Sequence, residues 1–140
     1  METKAKAAAA EQVRERGAAL GALLAGPLEF TLADTARAEP SEAGTGDGAV
    51  YTASANFVYA AGAGAAGRAV ADLHAAWLAR GWPGTLRRYP DGAADATARD
   101  PEGFRYTAVV QRDGAGVALW VESPRYRDPD PSTPFPPLRP

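Results

Sequence analysis

The stretch VYTASANFVYA, residues 50–60, restricts the fold more than any other part of the chain. Successive side chains of a strand point to opposite faces, so a period of two sorts these residues into two sets. One set is Tyr51, Ala53, Ala55, Phe57 and Tyr59, and the other is Val50, Thr52, Ser54, Asn56 and Val58. All three aromatic rings fall in the first set, and the second is rich in hydroxyl and amide groups. That division predicts a strand with one face toward a core and the other toward solvent.

Alternation recurs along the chain. In LEFTLA (28–33), Leu28, Phe30 and Leu32 alternate with Glu29, Thr31 and Ala33. TLRRY (85–89) and ADATAR (94–99) are short strands. FRYTAVVQ (104–111) places Phe104, Tyr106, Ala108 and Val110 on one face. VALWVE (117–122) places Val117, Leu119 and Val121 on one face and Trp120 on the other. Between them, DPEG (100–103) carries Asp, Pro and Gly at the positions a type I turn prefers. RDGAG (112–116) reads as a hairpin loop. The last three strands form an antiparallel meander that Ser123-Pro124 ends, and the polar, Gly-rich stretch 36–49 is a loop.

Two segments have a helical period instead. Residues 3–25 are rich in Ala, Glu, Gln, Arg and Leu, with Val13, Leu20, Leu23 and Leu24 striping the second half and Gly26-Pro27 as the stop. In RAVADLHAAWLARGWPG (68–84), Val70, Leu73 and Trp77 share one face. Gly81 is placed to take the left-handed conformation past the helix end, with Trp82 as its hydrophobic contact and Pro83 preventing continuation. The AGAGAAG run before it (61–67) has neither the Lys-Ser/Thr of a P-loop nor a GxGxxG string, so it reads as a lead-in to the helix.

The expected architecture is α+β: two layers, an antiparallel sheet of about five to six strands, and helices packed on one face. It occupies residues 1–124 as a single domain, followed by a Pro-rich tail, 125–140, that is disordered or extended. The tail contains Pro134-x-x-Pro137-x-Arg139, the PxxPxR pattern of ligands for SH3-type grooves, but its Pro content alone accounts for the match.

Composition bears on function mainly by exclusion. With no Cys there is no disulfide, thiolate nucleophile or Cys-based zinc site. His74, at the edge of an apolar helix face, is the single imidazole, so HExxH is impossible. DGAADATARDPE does not keep EF-hand spacing, and no Ser sits in a G-x-S-x-G elbow. The expectation is no catalytic residue, no cofactor and no metal. An enzyme using His74 is the weakest of the readings. A net charge of −2 leaves no electrostatic footprint for nucleic acid. Near the start, Glu11, Arg14, Glu15 and Arg16 interrupt any signal-like apolar run, and no apolar run is long enough to span a membrane. As given, the chain reads as soluble and cytoplasmic. The cell envelope is the alternative if an export segment has been trimmed.

AAWLARGW and the later ATARDPEGFRYTAVVQRDGAGVALWVESP carry a family likeness. Over roughly residues 68–125 the chain resembles small lipoproteins and envelope proteins of streptomycetes and related actinobacteria. In those a helix ends in W-x-x-x-G-[YW], here Trp77, Gly81 and Trp82. A strand pair then turns at [TD]-P-[ED]-G-F, here Asp100 to Phe104. The domain closes on a [ST]-P-C ending, against which this chain has Ser123-Pro124-Arg125. The lipidated and paired cysteines of that group are absent here. The resemblance implies a fold and a lineage rather than a function.

Two functional expectations follow. The first is a non-enzymatic module that binds a protein through its exposed sheet face. Arg87 and Arg88 form a basic spot beside Tyr89, and if Arg99, Arg105 and Arg112 on neighbouring strands share the exposed face they make an arginine-bearing surface for an acidic partner, the alternative being a solvated face. The second is a small-ligand domain with a pocket between helix and sheet, lined by Tyr51, Phe57, Tyr59, Trp77 and Trp120. His74, Arg87 and Arg105 complete the candidate contacts. Partner or ligand identity, and whether the chain is a monomer or a homodimer, stay open.

Overall fold

The alternating segments become strands of one antiparallel sheet in the computed structural model, which describes residues 1–38 and 49–140. In chain order the elements are helix α1 (Lys6–Ala19) with a 3-10 extension (Leu20–Leu23), β1 (Leu28–Arg37), β2 (Val50–Ala60), helix α2 (Ala66–Ala79), β3 (Gly84–Arg88), β4 (Ala94–Arg99), β5 (Arg105–Val110), β6 (Gly116–Glu122) and β7 (Tyr126–Arg127). The six long strands run in the order β1-β2-β6-β5-β4-β3, and β7 pairs with β2. Both helices lie on one face, giving the α+β architecture. The loop expected over 36–49 lies largely outside the described residues, and its first two positions belong to β1.

α2 forms where the apolar spacing places it. Ala66, Val70, Leu73 and Trp77 are its buried residues, all on one stripe. Its end is a Schellman motif. The Trp82 N–H donates to the Trp77 carbonyl at 3.0 Å and the Gly81 N–H to that of Leu78 at 2.9 Å, with Gly81 at φ 79°. Trp82 then stacks on Tyr106, ring centroids 4.8 Å apart, and so fixes the helix end to β5.

α1 is a poorer amphipath. It buries Ala9, Ala10, Val13 and Gly17, small residues that bring its backbone close to the sheet. The approach is tightest at Gly17, where a Cβ would lie 2.0 Å from Cε1 of Phe57. The helix starts later than expected, because Thr3 bridges Arg127 of β7 in parallel instead.

The core lies between the helices and the sheet. Tyr51, Ala53, Ala55, Phe57 and Tyr59 of β2 are all buried there, with Ala96, Ala98, Tyr106, Ala108, Leu119 and Val121 from the other strands. Small residues on the sheet leave room for Leu73 and Trp77 from α2, and the two sides interdigitate.

One expectation about β1 is corrected. The ladder with β2 shifts between Phe30 and Leu32, a β-bulge at Thr31. The Thr31 hydroxyl donates to the Asn56 carbonyl at 3.0 Å. Beyond the bulge the alternation inverts: Ala33 pairs with Ala55 on the buried face, and Leu32 pairs with Asn56 on the open one. Leu32 therefore does not share a face with Leu28 and Phe30.

The segment after residue 124 is extended, hydrogen-bonded and packed on the rest of the chain rather than disordered. Tyr126 is buried in β7. The Lys6 ammonium bonds Asp128 Oδ2 at 2.7 Å and the Asp130 carbonyl at 2.7 Å. Leu138 exchanges backbone hydrogen bonds of 2.8 and 3.0 Å with Ala33, adding a one-residue rung to the outer edge of β1. Phe135 and Leu138, from the PxxPxR stretch, pack against the core.

A buried carboxylate ties α1 to the β4–β5 turn. Asp100 accepts from the backbone N–H groups of Glu102 (2.9 Å) and Phe104 (3.0 Å), the Tyr106 hydroxyl (2.8 Å) and Arg16 Nη1 (2.9 Å). Arg16 Nη2 reaches Glu102 at 2.7 Å, and the guanidinium lies 3.8 Å from the Phe104 ring centroid. Burial would lower the pKa of Arg16, but its bonds to Glu102 and Tyr106 outweigh that and raise it. Burial, then the bond to Asp100, pushes the Tyr106 hydroxyl up to about 12.

Candidate functional site

The open face of the sheet is ordered by its cross-strand register. Its central row runs Leu32, Asn56, Trp120, Thr107, Thr97, Thr85 from β1 to β3. On one side lies Glu29, Val58, Ala118, Val109, Asp95, Arg87, and on the other Asp34, Ser54, Glu122, Arg105, Arg99. Trp120 is half-buried near the middle, with Val58, Ala118 and Val109 on the adjacent row, all partly exposed. Charged groups surround this apolar centre.

Pairing accounts for some of those charges. Arg87 Nε meets Asp95 Oδ1 at 3.2 Å, and the Tyr89 hydroxyl meets Asp95 Oδ2 at 2.8 Å. That bond to Asp95 is the first cause of the raised Tyr89 pKa. Arg105 reaches Glu122 only at 3.9 Å. Arg99 makes no ion pair with any described residue, yet it sits directly opposite Arg105 in the β4–β5 ladder. Both arginines are exposed. A hollow of about 530 Å³ opens beside them, lined also by Arg37, Thr52, Glu122 and Pro124. A second, of about 330 Å³, lies on their other side against Pro83, Thr97 and Thr107.

The candidate contacts separate cleanly between the two faces. Tyr51, Phe57, Tyr59 and Trp77 are core residues; Trp77 is 0% exposed and Phe57 2%. Phe57 packs against Phe30, centroids 5.5 Å apart, and Trp77 against Tyr106 at 6.0 Å. The Tyr51 hydroxyl donates to the Lys4 carbonyl, and burial and then Asp128 raise its pKa to about 12. Trp120 points to the opposite side of the sheet. The aromatic pocket expected between helix and sheet is therefore not formed by these five: four rings fill that space and the fifth faces away. Tyr59 does border a shallow hollow of about 220 Å³ at the helix ends, beside Leu23, Leu24 and Ala65.

His74 is half-buried at the margin of the α2 stripe, away from the open face, and its imidazole has no hydrogen bond or ion pair among the described residues. Arg87 and Arg105 do lie on the open face, on β3 and β5. No family model, curated protein or solved structure matches the chain. No helix among the described residues is long and apolar enough to cross a membrane. Sequence reasoning put Arg99 and Arg105 on neighbouring strands but missed that they stand directly opposite each other, and of the arginines grouped with them Arg88 falls on the other side of β3 from Arg87 and Arg112 in the β5–β6 turn. The signal for the missed pairing was the DPEG turn, which closes with Asp100 and Phe104 hydrogen-bonded and so places Arg99 opposite Arg105.

Proposed function

We propose that the protein is a non-enzymatic binding module that docks a protein partner on the open face of its sheet, with Trp120 as the apolar anchor. The observation that carries this reading is the placement of Trp120. A large ring stands on the solvent side of a sheet whose other side already holds the core, with Val58, Ala118 and Val109 beside it and charges around the rim. Protein interfaces have this anatomy: an apolar centre rich in aromatic residues and arginine, inside a polar rim. Tyr51, Phe57, Tyr59 and Trp77 are consumed by the core, which leaves the small-ligand reading without its pocket.

The test is photo-crosslinking in cells of the source organism. p-Benzoylphenylalanine placed at Thr107 is expected to capture a discrete protein adduct, whereas the same group at Ala75, exposed on α2, captures none. Trp120→Ala should abolish the Thr107 adduct. Adducts from Ala75 alone, or a Thr107 adduct indifferent to Trp120→Ala, would overturn the reading.

A further inference from the structure

Two arginines directly opposite each other on neighbouring strands repel, and like-charged cross-strand pairs destabilise a sheet. Arg99 and Arg105 stand in this relation on the open face. Glu122, on the far side of Arg105, offsets part of the repulsion at 3.9 Å, and nothing described offsets that of Arg99. Both residues line both hollows at this end of the face. A carboxylate seated between them would meet two planar guanidinium forks, each able to hold it bidentately. It would also relieve the repulsion that the described residues leave uncompensated.

From this we infer the chemistry of the partner, on the footing of the docking reading above: an extended acidic segment of a protein. One of its carboxylates pairs with Arg99 and Arg105, and a neighbouring apolar side chain lies on Trp120, which follows two positions before Glu122 on the same face of β6. The face disfavours a nucleic-acid backbone. Apart from Arg87, the arginines cluster at one end, where Arg37 and Arg125 also border the hollow beside Arg99 and Arg105, and the rest of the open rows carries Glu29, Asp34 and Asp95. A row of phosphates running along the face would leave that cluster for carboxylates, whereas a short peptide can place single charges.

Fluorescence anisotropy with a labelled peptide alternating glutamate and leucine tests this on the full chain. The unmodified protein should bind it saturably, and salt should weaken the binding. Arg99→Gln with Arg105→Gln should weaken it by about tenfold or more. Arg14→Gln, on α1 in the other layer, should leave it unchanged. Arg99→Gln alone should also raise the urea midpoint of the free protein, because it removes the repulsion, and the peptide should then stabilise it less than it stabilises the unmodified chain. The inference is overturned if the glutamine–leucine counterpart binds equally well, if Arg14→Gln matters as much as the double change, or if oligodeoxythymidylate or a phosphoserine–leucine peptide binds more tightly than the glutamate peptide. Failure of the peptide to bind, with the Thr107 crosslink intact, would reject the acidic partner and leave the docking face standing.

Discussion

Gly17 sets the distance between α1 and the sheet. Glycine inside a helix normally costs about 1 kcal/mol relative to alanine, so Gly17→Ala would stabilise an isolated helix. Here the new methyl would meet the Phe57 ring, itself buried against Phe30. Overpacking of that kind costs about 1–3 kcal/mol. Gly17→Ala is therefore expected to lower the urea midpoint, and a second change, Phe57→Leu, should recover part of the loss. Asp100 is the other residue on which much depends. Asp100→Ala strands two backbone N–H groups, the Tyr106 hydroxyl and one arm of Arg16, and should cost about 3 kcal/mol or more in equilibrium denaturation. Asp100→Asn keeps an acceptor for the N–H groups and should cost less. Of these two residues only Asp100 was visible in the sequence, as the first position of a turn. Its burial was not, because that depends on Arg16 arriving from a helix 84 residues away. Gly17 carried no signal at all, since the reason for a helical glycine lies in what it faces.

At the level of elements, helix ends and strands were legible where chain-local chemistry decides them. The α2 terminus followed from Trp77, Gly81, Trp82 and Pro83 being in sequence order, and the strands followed from alternation. Neighbour relations were not legible. Nothing in TLADTAR announces that Thr31 bulges and sends Leu32 to the open face, because a bulge is settled by the partner strand. Nor does a Pro-rich composition reveal docking. Residues 125–140 read as loose from their Pro and Asp content, yet Tyr126, Asp128 and Leu138 hold them to β2, α1 and β1. A chain ending at Pro124 is expected to lose at least about 2 kcal/mol, chiefly from the buried Tyr126 ring, and to show faster amide exchange at Ala33 and in β2. Unchanged stability would mean that these contacts contribute nothing in solution. Within the same cluster, burial works to raise the pKa of Asp128, but its bonds to Lys6 and the Asp130 N–H prevail and lower it. Its share of the stability should therefore be present at neutral pH and lost as pH falls through the lowered value.

For the molecule as a whole, alkaline pH probes both ends of the core together. Tyr51 beneath the terminal segments and Tyr106 beneath α2 are each raised from 10.0 to about 12. The folded protein then holds these two protons more tightly than the unfolded chain does, so stability is full below pH 10 and falls as pH climbs toward about 12. Urea midpoints taken across that range should decline with pH, and tyrosinate absorbance should rise together with unfolding. Tyr126, also raised chiefly by burial, adds to the slope that Tyr51 and Tyr106 set. Tyr106→Phe should make the slope shallower. The two-layer plan was legible in the sequence at this scale, because one amphipathic helix and several alternating strands admit few other arrangements. The bipartition of the aromatic residues was only half legible: alternation set Trp120 apart from Leu119 and Val121 but did not prevent its grouping with Tyr51 and Trp77.

The rung that Leu138 adds to β1 has a consequence for how this protein can recognise anything. It occupies the N–H and C=O of Ala33, and Pro137 beside it has no N–H with which to extend a ladder. At the opposite border, Arg87 and Arg88 guard β3. A visiting chain cannot add an uninterrupted strand along β1 past Ala33, which interrupts the mode in which main-chain groups supply the affinity and almost any extended peptide is tolerated. On the proposed docking reading, recognition is left to side chains meeting side chains across a flat surface. A surface of that kind would be selective, and a few substitutions around Trp120 would be enough to teach it a different vocabulary.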